Sequence, residues 1–221
     1  MHEAGPRMPF PGTAYDVVAV AASAGGLEAL SEVLGCLQAD FPAAVVVVQH
    51  VAPRRRSALA QILRRKTLLP VAQAADGDRL LPGHVYTAPP DWHLLVEPGA
   101  RLALAQTPKV RYARPSGDVL FGSVGTCCRD RGVAVVLTGG GSNGAAGVKL
   151  LKALDGAVIA QDPGTARQPA MPRAAIETGC VDLVLPLAEI GPALVRLVRE
   201  GRPAVRALQV NDGEPLAAGP G

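Results

Sequence analysis

Two stretches of the chain, DVVAVAA (16–22) and AAVVVVQH (43–50), are nearly unbroken runs of small and β-branched apolar residues. A strand with one wet face alternates apolar and polar side chains, because successive residues point to opposite sides of the sheet. Runs without that alternation are buried on both faces, which is the situation of a parallel sheet covered by helices. Between and after them the spacing changes to the 3.6-residue period of helices, in LEALSEVLGCL (27–37) and SALAQILRRK (57–66).

The same alternation resumes further along. A helix is expected near 117–130, a strand at 133–138, a helix at 145–154 and a strand at 157–161. A helix near 171–178, a strand at 182–186 and an amphipathic helix at 187–198 follow. Short strands are expected at 84–89 and within 93–105, the latter pair joined by a Pro-Gly turn into an antiparallel hairpin attached to the main sheet. Repeated strand–helix units imply right-handed crossovers. The expected fold is therefore α/β: a doubly wound, mainly parallel sheet with helices on both faces and a small antiparallel hairpin. Residues 1–14 and 201–221, rich in Gly, Pro and Ala, read as flexible termini around a single domain at 15–200.

Composition narrows the function classes. Hydrophobic residues are 48% of the chain and charged residues 19%, as in a folded globular protein rather than a disordered one. Aromatics are only 3% and the net charge is +3, a poor match to nucleic-acid binding. The four cysteines, Cys36, Cys127, Cys128 and Cys180, have no metal-ligand spacing. With no signal peptide or membrane span visible, the expectation is a cytoplasmic protein needing neither metal nor cofactor.

In doubly wound sheets, function gathers at the carboxyl ends of the strands. The first strand ends in AASAGG, which sets Ser23 in a tight turn of small residues, as a nucleophile at the mouth of a helix requires. A serine capping the helix is the commoner alternative. The second strand ends in Gln49-His50, so a serine and a histidine share one edge. Arg54, Arg55 and Arg56 follow there, either a solvated charge run or a dock for an acidic partner. A third strand end carries TGGGSNG (138–144). Its Gly139, Gly141 and Gly144 satisfy a dinucleotide fingerprint, and Asp162 lies about 20 residues on, where a ribose-binding acid belongs. The other reading takes the glycine loop as a source of oxyanion donors and residue 143 as the group that orients His50.

Five segments in order, VAASAGGLEAL, VVVVQHVAP, RPSGDVLF, VVLTGGGSNGAAG and QPAMPRAAIETG, resemble the signatures of the chemotaxis protein-glutamate methylesterase catalytic domain. The resemblance covers roughly residues 15–198. It implies a doubly wound hydrolase that demethylates, and in some cases deamidates, glutamyl side chains on chemoreceptor helices without a metal or cofactor. It also implies Ser23 as nucleophile, His50 as general base, and Ala24, Gly25 and Gly140 in the oxyanion and substrate loops. The third triad position falls on Asn143, where the family pattern has aspartate. Ala21 and Ala24 replace a glycine and a hydroxyl residue of that pattern, and Gly140 replaces a methionine. The family's frequent amino-terminal receiver domain is not expected here, since fourteen residues precede the first strand.

Asn143 leaves several readings open. The chain is a weakened esterase, with Asp118 or Asp162 as a substitute acid near His50, or a degenerate module that binds a receptor-like protein. A third is that Asn143-Gly144 deamidates to restore an aspartate.

Overall fold

The computed structural model describes residues 10–50 and 58–201. Seven strands form one wholly parallel sheet: β1 (Val17–Ala22), β2 (Ala44–Gln49), β3 (Val71–Gln73), β4 (Val85–Thr87), β7 (Gly132–Val136), β8 (Ala157–Gln161) and β9 (Leu183–Leu185). Their spatial order is β3-β4-β2-β1-β7-β8-β9. The remaining strands, β5 (His93–Glu97) and β6 (Arg101–Ala105), pair only with each other. The expected hairpin thus exists but is not attached to the main sheet. Its apolar face carries Leu94, Val96 and Leu102, which join the core beneath helix α3 (Gly117–Cys128). Burying that face against a helix satisfies the hairpin without edge pairing.

Every residue of β1 is buried, and its side chains divide between two cores. Val18, Val20 and Ala22 face a layer containing α1 (Gly26–Gly35), α2 (Leu59–Leu63) and α6 (Leu187–Glu200). Val17, Ala19 and Ala21 face α3, α4 (Ala145–Ala153), α5 (Ala170–Ile176) and the hairpin. Burial on both faces is the physical reason the strand lacks alternation. In α1 the residues Ala29, Leu30, Val33 and Leu34 form the buried stripe that the sequence spacing predicts.

From β1 the chain crosses to β2 on one side, and from β7 it crosses to β8 on the other. β1 and β7 are adjacent, so their carboxyl ends open at the point where the winding reverses, the usual ligand crevice of such sheets. Among the described residues no helix is long and apolar enough to cross a membrane.

Candidate active site

The end of β1 is tied to the end of β7. Ser23 N donates to Thr138 O at 2.9 Å, and the turn closes with Gly26 N donating to Ser23 O at 2.8 Å. The left-handed conformation of this turn is taken by Gly25 (φ 79°), so Ser23 itself is not the strained residue of an elbow. Helix α1 starts with no side-chain cap hydrogen bond, so Ser23 is not a capping serine. It stands half-buried at the crevice.

The glycine loop lies directly against it. A Cβ on Gly139 would come 2.8 Å from Ser23 Cβ and 2.1 Å from Met171 Sδ, so only glycine fits between them. The QPAM segment holds this loop in place. Gly139 N donates to Gln168 O, Met171 N donates to Gly139 O, and Gln168 N donates to Thr138 Oγ1. Gly140 is exposed with open space around it. The N–H groups of Ala24, Gly25 and Gly140 enter no backbone hydrogen bond among the described residues, which leaves them free to donate to a substrate oxygen.

His50 closes β2, with its N–H donating to Ala22 O at 3.2 Å, one residue before Ser23. Its Nε2 is buried without a hydrogen-bond partner among the described residues, Ser23 included, so a nucleophile–base bond is not closed through this atom. Contacts of this kind often tighten only with substrate bound. Burial pushes the imidazole below its ordinary pKa. The Asn143 side chain, and then the Asp118 charge, oppose that shift.

Asn143 is 4% exposed and its amide is held at both ends. Oδ1 accepts from Gly117 N at 2.6 Å, while Nδ2 donates to Ser116 Oγ at 3.1 Å and Val110 O at 3.3 Å. Ser116 and Gly117 belong to the RPSGDVLF segment; the sequence marks that segment but not their part as anchors of residue 143. Gly117 is also pressed against β1: a Cβ there would meet Ala21 Cβ at 2.8 Å, so alanine at 21 demands glycine at 117.

Asp118 sits one residue on. Its Oδ1 accepts from Gly144 N at 2.9 Å and Gly147 N at 3.0 Å, at the start of α4. Oδ2 is buried without a hydrogen bond among the described residues, although Arg111 Nε stands 3.4 Å away as an ion-pair partner. Those helix N–H groups are what a pyrophosphate would use. With a carboxylate already on them, the dinucleotide reading loses its cradle. Asp162, its proposed ribose acid, accepts instead from Gly164 N within its own turn. The same Gly144 N–H bond, together with the anchored amide, restrains the backbone attack that deamidation of Asn143 requires.

A cavity of about 350 Å³ opens beside these groups, lined by His50, Gly140, Gly141 and Asn143 on one side and by Lys109, Arg111, Tyr112 and Arg114 on the other. The second wall is the loop from β6 to α3, of which the sequence marks only the end, in RPSGDVLF, and gives Lys109 to Ala113 no role. Arg54, Arg55 and Arg56 lie outside the described residues. No group of three His, Cys, Asp or Glu among the described residues is arranged to hold a metal ion. The four cysteines are free thiols, and burial pushes those of Cys127 and Cys128 up, away from nucleophilic use.

Comparison with known proteins gives a consistent picture. The CheB methylesterase family model matches residues 18–194. A putative protein-glutamate methylesterase/protein-glutamine glutaminase of Leptospira interrogans is 36% identical over 183 residues, covering 83% of this chain and 95% of its own. Protein-glutamate methylesterase FrzG of Myxococcus xanthus is 40% identical over 196 residues, covering 89% of this chain and 57% of its own. The chain thus spans nearly all of one relative and little more than half of the other. The crystal structure of the Thermotoga maritima CheB methylesterase catalytic domain matches with a TM-score of 0.80 at 35% identity, covering 83% of this chain and 99% of that one.

Proposed function

This chain belongs to the CheB methylesterase family, and from that premise we propose that it is a serine esterase of glutamyl methyl esters on chemoreceptor-like protein segments. The reading is carried by the placing of Ser23 against Gly139, and of His50 with Gly140 to Asn143 on one cavity, at the edge where the winding of the sheet reverses.

In this mechanism Ser23 Oγ attacks the ester carbonyl carbon while His50 takes the hydroxyl proton. Free N–H groups of Gly140 and of the Ala24–Gly25 turn receive the developing oxyanion. Collapse breaks the bond to the methoxy oxygen, which leaves as methanol with the proton held by His50. Water then attacks the acyl-serine, again deprotonated by His50, and releases the glutamate carboxylate. A glutamine side chain would follow the same course with ammonia leaving.

Asn143 fixes a position beside the imidazole but brings no charge. The anionic support for the imidazolium is the Asp118 carboxylate, largely covered from solvent, whose charge opposes the lowering of the His50 pKa. The role is electrostatic, acting through a neighbouring element. Turnover is expected to be slow, because the corresponding Asp→Asn change in serine proteases lowers kcat about 10⁴-fold.

Methanol release from a methylated receptor tests the reading directly. The chain should release methanol, and Ser23→Ala should abolish the release. Activity that survives Ser23→Ala would overturn the assignment of the nucleophile. An absence of any release, with partner binding intact, would instead favour a degenerate binding module. The neutral Asn143 is the one observation on that side.

A further inference from the structure

The wall of the cavity facing the catalytic loop contains a costly piece of backbone. Val110 and Ala113 exchange both backbone hydrogen bonds, Val110 N to Ala113 O at 3.1 Å and Ala113 N to Val110 O at 2.9 Å. The two residues between them, Arg111 (φ 48°) and Tyr112 (φ 63°), are both left-handed. This is the two-residue turn that normally takes Asn-Gly, because side chains with a Cβ disfavour it. Here the second position holds a tyrosine that is 98% exposed. Neither burial nor capping repays the strain, so the tyrosine is kept at the tip for some other reason.

The turn is bolted to the catalytic loop. Val110 O accepts from Asn143 Nδ2, and Arg111 Nη1 donates to Ser142 Oγ at 2.9 Å. On its other leg Arg114 is clamped by Asp91 and by the carbonyls of Gln106 and Thr107. The tip is therefore preorganised at the mouth of the cavity. Its exposed charges are cationic: among the described residues Lys109 has no ion-pair partner, and the half-exposed Arg111 guanidinium is paired with the largely buried Asp118 through Nε. A methyl ester is neutral and offers these cations no charge to pair with. They suit the groups around it.

We propose that the Arg111–Tyr112 turn is a substrate-reading finger that docks on an acidic protein segment, the Tyr112 ring lying against the segment beside the esterified side chain while Lys109 and Arg111 pair with flanking carboxylates. The inference rests on the esterase reading, and it adds what that site selects. Tyrosine suits the task, since it presents a large rigid surface with little entropy to lose on docking.

The test uses a labelled peptide carrying one glutamyl methyl ester flanked by glutamates, and a second with glutamines in the flanks. Binding is measured by fluorescence anisotropy in the Ser23→Ala background, so turnover does not interfere. The acidic peptide should bind more tightly than its glutamine counterpart, by about tenfold, and the difference should shrink with salt. Tyr112→Gly and Lys109→Glu should each weaken the acidic peptide by a similar factor. Because glycine suits the left-handed position, Tyr112→Gly should leave Tm no lower than the parent's, which separates lost recognition from lost folding. Equal binding of both peptides, or unchanged affinity in both variants, would overturn the finger. Hydrolysis is scored separately on the active protein. Failure to cleave while Tyr112-dependent binding persists would sink the esterase reading and leave the finger standing. Cleavage with the same KM in parent and both variants would do the reverse.

Discussion

The two edges of the sheet treat buried polar groups in opposite ways. At the amino edge, below β1, Asp16 is fully buried and saturated. Arg131 Nε and Nη2 donate to its two carboxylate oxygens at 2.7 and 2.6 Å, and Phe10 N adds a third bond at 3.1 Å. The guanidinium also donates to Thr13 O, and the carboxylate raises its already high pKa. At the carboxyl edge, buried atoms of Gln49, His50 and Asp118 have no hydrogen-bond partner among the described residues. An unpaired buried polar atom costs about 1–3 kcal/mol. The same class of buried polar group is thus fully paired at one edge and, among the described residues, not hydrogen-bonded at the other, the edge that carries the proposed site.

The contrast can be broken at either edge. The largest effect is expected from Asn143→Asp, which should raise kcat for methanol release, with a ceiling of about 10⁴-fold, or roughly 5 kcal/mol. The gain should fall short of that ceiling and Tm should drop. The new carboxylate would face Val110 O where the amide now donates, and would stand near the Asp118 charge. An unchanged kcat would show that the neutral residue at 143 does not limit the imidazole.

Next comes Asp16→Asn at the closed edge. Removing one partner of a buried, bidentate pair should cost about 3 kcal/mol in denaturant unfolding. Activity per folded molecule should not change, and a parallel loss would mean the two edges are coupled.

The smallest effect is on the pH profile. Burial holds the His50 pKa below its ordinary 6.5, so the neutral base persists to lower pH. The rate kcat/KM should rise with pH through an inflection below that value and then level off. The same shift makes His50 a stabilising group above its unfolded pKa, with that contribution lost as pH falls toward the folded one. Asp118→Asn removes a charge that favours the imidazolium, so the inflection should move further down and kcat should fall about tenfold, near 1.4 kcal/mol. An upward move would exclude Asp118 as the charge His50 feels.

Legibility followed the strength of the local signal. β1, β2, β7 and β8 could be read because burial on both faces writes an uninterrupted apolar run. β3 could not: Val71–Gln73 is three residues long, at the edge of the sheet, too short for any period to show. Helix α2 is also shorter than its spacing predicts. Ser23, His50 and Asn143 could be singled out as candidates because Ser23 and His50 follow readable strands and Asn143 lies on the loop after a third. Lys109 to Ala113 carry no comparable pattern, and Tyr112 in a left-handed turn contradicts the sequence preference for glycine there.

By itself, then, the sequence determined the layers, the parallel sheet and the three strand ends that supply the candidate nucleophile, base and orienting amide. These follow from periodicity and from motifs only a few residues long. Tertiary structure alone decided that the hairpin leaves the main sheet to pack on α3, which swings the following loop over the crevice. It also decided that Asn143 is anchored by Ser116 and Gly117, and that Asp118 fills the amino end of α4. Those contacts join residues far apart in the chain, and their geometry depends on how helices and hairpin pack over the sheet, which no local pattern encodes.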